Sequence, residues 1–173
     1  MGDIKRIAIL VEEGFEDSEL IEPIRAMKSI DMRVLIVGSG SAEIYTGKSR
    51  KTPITVDTTA EKVKAEDIIG IIVPGGYAPD RMRMHQPMID LVKEAHDLGK
   101  IIAAICHGPQ LLISAEILRG RCVTSWPSIA LDLRNAGAKW IDAPVVQDGN
   151  IITSRKPADL PKFIKTIIDA IQD

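Results

Sequence analysis

The 173-residue sequence predicts an α/β fold: a mostly parallel sheet with helices on both faces and a β-hairpin near the C-terminal end. Three observations carry this reading. Short apolar runs alternate with longer segments of helical period. The apolar runs break off at glycine, proline or polar residues. An Asp-Gly dipeptide divides two further β-type runs late in the chain.

Taken in order, residues 5–11 (KRIAILV) form a short apolar run, as a strand buried on both faces requires. Residues 17–30 place Leu20, Ile21, Ile24 and Met27 on one helical face. Residues 32–38 (MRVLIVG) read as the next strand and 54–57 as a short one. The run 69–73 (IGIIV) stops at Pro74-Gly75-Gly76. In residues 87–98, Met88, Leu91, Val92 and Ala95 recur at helical spacing, and Gly99 terminates the helix. Residues 101–105 are another apolar strand, ending at Cys106, and a helix beginning near Gly108 carries Leu111, Leu112 and Ala115. Residues 145–147 and 151–153 make the hairpin around Asp148-Gly149. The last helix carries one apolar stripe of Leu160, Phe163, Ile164, Ile167, Ile168 and Ile171, with Asp159 as its expected N-cap.

No repeat or linker divides the chain, so residues 1–173 read as one domain, and 45 % hydrophobic residues suffice for a substantial core. A net charge of −2, with one short basic cluster at residues 48–51, speaks against nucleic acid or a polybasic membrane anchor. No apolar stretch approaches the ~20 residues of a membrane span, and the first residues lack the form of a signal peptide. Two cysteines make a disulfide framework unexpected, which implies a cytoplasmic protein with free thiols. His85 and His96 lack metal-ligand spacing, and Glu43 stands where a dinucleotide fingerprint starting at Gly38 needs a small residue. Neither a metal nor a cofactor is expected.

In parallel sheets the functional loops lie at the carboxyl ends of the strands. That singles out residues 12–17, 74–83 and 106–110. Ala104-Ile105-Cys106-His107-Gly108 has the pattern small–x–nucleophile–x–small at a strand-to-helix junction, the layout of a nucleophile elbow. Amides at the start of the next helix would favour the thiolate of Cys106, and the His107 amide would help to bind an oxyanion. The competing reading is a buried, inert cysteine. A direct bond between His107 and its neighbour is not assured, because adjacent side chains usually diverge. Gly75-Gly76 permits close backbone approach and offers amides to an anion, or is an ordinary turn. Glu12, Glu13, Asp17 and Glu19 read as acids favourable near a helix N-terminus. Glu16 stays open between that role and contact with the cysteine.

The segments FEDSEL, VPGGYAPDRMR, AAICHGPQLLISAEILRGR, NAGAKWIDAPVVQDGN and TSRKPADLP together resemble the PfpI-type intracellular proteases, in the ThiJ/PfpI branch of the class I glutamine-amidotransferase-like superfamily. The resemblance spans nearly the whole chain. It implies a three-layer flavodoxin-like sandwich, Cys106 as nucleophile, His107 as its partner and Glu16 as the carboxyl on the thiol. It also implies an oxyanion site made by the amides of Gly76 and His107. The acid of the triad, matching Asp80 here, would come from a neighbouring subunit of a dimer or hexamer. Many relatives carry Glu at that place, and Asp is one methylene shorter. Trp126 stands where several carry Tyr, so a hydroxyl is missing from the substrate-binding wall. The implied function is a cofactor-independent, cysteine-dependent stress-response enzyme acting on reactive carbonyls, of the glyoxalase or deglycase kind. The alternatives are an intracellular cysteine peptidase and a non-enzymatic redox sensor or chaperone-like protein.

Overall fold

The computed structural model describes residues 6–173, so Lys5, expected to open the first strand, lies outside the described residues. The chain runs β1 (Arg6–Val11), α1 (Asp17–Ser29), β2 (Arg33–Gly38), β3 (Ile44–Thr46), β4 (Pro53–Thr55), β5 (Thr58–Thr59), β6 (Gly70–Val73), α2 (Ala78–Met82), α3 (Gln86–Asp97), β7 (Ile101–Ile105), α4 (Pro109–Ser114), β8 (Cys122–Val123), α5 (Ala130–Asn135), β9 (Lys139–Trp140), β10 (Val145–Asp148), β11 (Ile151–Ser154) and α6 (Leu160–Gln172). Seven strands form one sheet in the order β10-β11-β7-β6-β1-β2-β5. All neighbours are parallel except β10, which pairs antiparallel with β11. Helices α1 and α6 pack together against it, and α3 and α4 form a second helical pair. This is the mostly parallel α/β sandwich that the alternation of elements predicts, with the flavodoxin-like architecture that the resemblance implies.

The apolar runs became strands because their side chains are covered on both sheet faces. Ile7, Ala8, Ile9, Leu10 and Val11 of β1 are fully buried, as are Ile71–Val73 of β6 and Ile102–Ile105 of β7. The α6 stripe inserts Leu160, Phe163 and Ile167 into the core and leaves Ile164, Ile168 and Ile171 half-buried.

Four expectations need correction. Asp159 does not cap α6; its carboxylate accepts from Arg155 Nε at 2.9 Å and Nη2 at 3.1 Å, a stronger charge-assisted pairing than an amide offers. The hairpin loop is Gly149-Asn150 rather than Asp148-Gly149. The ladder pairs Asp148 with Ile151, and Gly149 takes φ +59°, while the Asp148 carboxylate accepts from the Cys122 amide. The strand expected at 54–57 is displaced to Pro53–Thr55 and pairs with Ile44–Thr46 in a hairpin outside the main sheet. Finally, α2, α5, β3, β5, β8 and β9 lie outside the sequence expectations, being two to six residues long and so too short for periodicity to register.

At the sheet border, β5 pairs with β2 only at Val37 and Gly38. Just before it, Asp57 takes both backbone groups of Ile36: its Oδ2 accepts from the Ile36 amide at 2.7 Å, and its own amide donates to the Ile36 carbonyl at 2.9 Å. No described helix is long and apolar enough to cross a membrane.

Candidate active site

The strands β1, β6 and β7 end side by side, and the loops that follow them meet around a cavity of about 910 Å³. Glu16, Glu19, Lys48, Gly76, Tyr77, Asp80, Arg81, Cys106, His107, Gln110, Trp126 and Pro157 line it.

Cys106 occupies the turn between β7 and α4 with φ +62°, in the left-handed region that a residue with a Cβ rarely enters. Such a conformation persists only where its surroundings over-determine it. Here the Cys106 amide donates to the Ser154 carbonyl at 3.0 Å, and the Cys106 carbonyl accepts from the Trp126 amide at 3.0 Å. Gly108 must be small, since a Cβ there would stand 2.5 Å from the Val73 carbonyl oxygen. The elbow expected from the small–x–Cys–x–small pattern is therefore built. Cys106 is 8 % exposed, and that remnant opens on the cavity.

The carboxyl on the thiol is Glu19, not Glu16. Glu19 is fully buried and lies beside Cys106, against the same Gly75 backbone, close enough for its charge to act on the thiol. Its Oε2 accepts from the Gly75 amide at 2.7 Å, while Oε1 is buried without a hydrogen-bond partner among the described residues. Glu16 sits one helical turn earlier, ahead of α1, and reaches outward to Lys48 Nζ at 3.1 Å. The reason is helical geometry: residues three apart share a face, and the one further into the helix is carried beneath the Gly75–Gly76 loop. Gly75 leaves room for this, because a Cβ would come within 2.6 Å of Glu19 Oε2 and 2.8 Å of Cys106 Cβ.

Burial pushes the Glu19 carboxyl up to about 7, with the Glu16 charge adding to it. Burial, then the Glu19 charge, push the thiol up to about 12, against the pull of the His107 and Gly76 amides. The expectation of a thiol with a low pKa is thus corrected for the thiol facing an ionised Glu19. Two acids in contact share their protons, so the pair keeps one proton between oxygen and sulfur over the interval between those values. When that proton sits on Glu19, the charge opposing the thiolate is gone, and the sulfur is left facing two amide donors.

His107 Nδ1 lies 3.4 Å from Cys106 Sγ, so the two neighbours do meet. Burial, with Lys48 nearby, lowers the imidazole's pKa and favours its neutral form. On the other side of the ring, Nε2 lies 3.3 Å from Ser128 Oγ, a residue that sequence reasoning missed and that no motif signals. Asp80 lines the same cavity but makes no hydrogen bond to His107 within the described chain. In the sequence Lys48 stands out only as a member of the basic cluster at residues 48–51. Its turn is pinned by Ser49 Oγ donating to Asp17 Oδ1 at 2.6 Å, which brings the ammonium to the mouth of the cavity, 5.7 Å from the Tyr77 ring centre. Trp126 forms part of the wall, and no cluster of metal-ligating side chains occurs among the described residues.

Residues 5–170 match the DJ-1/PfpI family. A deglycase of Pyrococcus abyssi is 41 % identical over 167 residues, covering 96 % of this chain and 99 % of its own. A protein/nucleic acid deglycase of Escherichia coli is 36 % identical over 160 residues, covering 92 % and 93 %. Among solved structures, a two-domain protein of Anabaena variabilis with DJ-1/ThiJ/PfpI-like and ferritin-like domains is 40 % identical with a TM-score of 0.95. The match covers 97 % of this chain and 48 % of that longer one, so this chain spans about half its length.

Proposed function

Because the chain belongs to the DJ-1/PfpI family, we propose that it is a cofactor-independent stress-response enzyme whose Cys106 adds to reactive carbonyls such as methylglyoxal and to their early adducts on proteins. The observation that carries this is the strained elbow that holds one sulfur against Glu19, His107 and two amides at the floor of an open cavity. The names of the Pyrococcus and Escherichia relatives support the deglycase form of the reading.

The chemistry follows from the contacts. With the shared proton on Glu19, Sγ donates an electron pair to the carbonyl carbon and a C–S bond forms. The carbonyl π pair moves to oxygen, which becomes the oxyanion. The amides of Gly76 and His107, both directed at the sulfur, are placed to receive that oxygen. Glu19 then returns its proton to the oxyanion, giving a hemithioacetal, and neutral His107 is the base available for the next proton. A peptidase would need a general acid for a departing amine. Asp80 is one methylene shorter than the Glu that many relatives carry there, and on that ground we rank the peptidase second.

The test is loss of methylglyoxal with release of lactate, measured as iodoacetamide is titrated in. Activity is expected to fall in proportion to carboxymethylation of Cys106 by mass spectrometry, and the Cys106→Ala protein should be inactive. Equal consumption by the parent and Cys106→Ala proteins would end the proposal. Turnover of casein or a fluorogenic peptide without methylglyoxal loss would put the peptidase in its place. Selective peroxide oxidation of Cys106 without turnover of either substrate would favour a redox sensor.

A further inference from the structure

We propose that Ser128 is a positioning residue for His107: from within the same chain its hydroxyl holds the outer ring nitrogen and so keeps Nδ1 on the sulfur. The inference rests on the proposed carbonyl chemistry only for its rate readout.

The geometry is a line of three groups. Cys106 Sγ stands 3.4 Å from Nδ1, and Nε2 stands 3.3 Å from Ser128 Oγ. A ring tethered only at Nδ1 can swing about its Cβ–Cγ bond, and a partner at Nε2 on the far side stops that rotation. The tether is itself fixed. Ser128 lies in the turn Pro127–Ile129, which begins at Trp126 and is anchored by the buried Ile129. The Trp126 amide donates to the carbonyl of Cys106, so the turn hangs from the nucleophile's own peptide. The Trp126 carbonyl accepts from Ser125 Oγ at 2.8 Å, and Ser125 Oγ accepts from Trp140 Nε1 at 3.0 Å. The serine is therefore held at a fixed offset from the cysteine.

A hydroxyl also suits both states of the ring, because it donates as well as accepts. When Nδ1 takes a proton as base and the ring becomes imidazolium, the Nε2–H donates to Ser128 Oγ, and when Nδ1 gives that proton up, Nε2 keeps its own and the bond persists. In the other neutral tautomer, with the proton on Nδ1 and Nε2 bare, the hydroxyl rotates and donates instead. The ring changes protonation without changing place.

The experiment compares the Ser128→Ala and Ser128→Thr proteins with the parent by two readouts. The first is the titration of the three imidazoles by proton–nitrogen correlation NMR, without substrate. Loss of the acceptor that stabilises the imidazolium is expected to move the His107 midpoint down in Ser128→Ala and to restore it in Ser128→Thr. His85 and His96 should not move. The second is methylglyoxal turnover: kcat should fall ~10-fold in Ser128→Ala, the order expected for one lost hydrogen bond to a charged group, with KM and thermal melting unchanged and recovery in Ser128→Thr. An unmoved His107 midpoint in Ser128→Ala, or a loss of rate that threonine fails to recover, overturns the inference. If the Cys106→Ala protein consumes methylglyoxal as the parent does, the carbonyl reading falls, and the His107 titration alone decides the role of Ser128.

Discussion

The Glu19→Gln protein is expected to melt higher than the parent above neutral pH and to turn over far more slowly. The buried carboxyl has its pKa raised from 4.5 to about 7. Between those values the folded state keeps a proton that the unfolded chain has released, so stability falls as pH rises through that window and then levels off. The accumulated cost is about 3 kcal/mol. Glutamine fills the same space, still offers an oxygen to the Gly75 amide and does not ionise, so it escapes the penalty. Thermal melts at pH 4 and pH 8 read this directly. The parent should lose stability between them, the variant should hold level, and the gap between the two should narrow toward pH 4. Methylglyoxal turnover should fall ~10²–10³-fold, the usual worth of a positioned proton donor. The stability gain and the activity loss have one cause, a carboxylate kept where only a reacting thiol has use for it. Parent and variant melting curves that shift alike with pH would remove Glu19 from the titrating pair.

Gly76→Ala is expected to be the most damaging single methyl group at the site. Gly76 has φ +79°, and a Cβ there would lie 2.5 Å from both the Gly14 carbonyl oxygen and the Glu16 amide. Neither neighbour can yield easily. Gly14 accepts from the Tyr77 amide at 2.8 Å, and Phe15 forms a β-bridge with Gly76. Relief requires the 74–77 loop to part from the 14–16 loop, which withdraws the Gly76 amide from the sulfur and exposes Glu19. The left-handed backbone and the collision together should cost ~3 kcal/mol or more. Denaturant unfolding should show a lower midpoint, and the rate of Cys106 alkylation should lose the pH dependence it has in the parent. A midpoint within ~0.5 kcal/mol of the parent would show that the two loops are not coupled as described.

The parent architecture was legible because burial on both faces forces apolar runs, and such runs are visible in a sequence. The elbow was legible too. Ala104, Cys106 and Gly108 are spaced as a tight turn demands, and positive φ at Cys106 is the result. The acid was misplaced, and the reason is instructive. Glu16 and Glu19 both precede the apolar part of α1, and both carry a charge that favours a helix N-terminus. Phase does not separate them, since Glu16 also stands four, seven and eleven residues ahead of Leu20, Pro23 and Met27. What separates them is depth: Glu16 is at the N-cap and half-buried, whereas Glu19 lies one turn further in, among the buried Leu20, Pro23 and Met27. That difference depends on where the helix begins beneath the Gly75–Gly76 loop. Ser128 and Lys48 left no signal, since their places depend on which loops fold back over the strand ends. The same holds for Asp159, whose partner Arg155 outbids the helix amides only once both side chains are placed.

The grip of Asp57 on Ile36 has a bearing on how this protein tolerates crowding by its own copies. A strand at the border of a sheet invites a stranger to zip alongside it, and runaway stacking into fibrils begins that way. Here the inviting amide and carbonyl are already answered by an aspartate from the same chain. That stretch of β2 is closed to a stranger, while the carboxyl ends of β1, β6 and β7 keep the sulfur's doorway open.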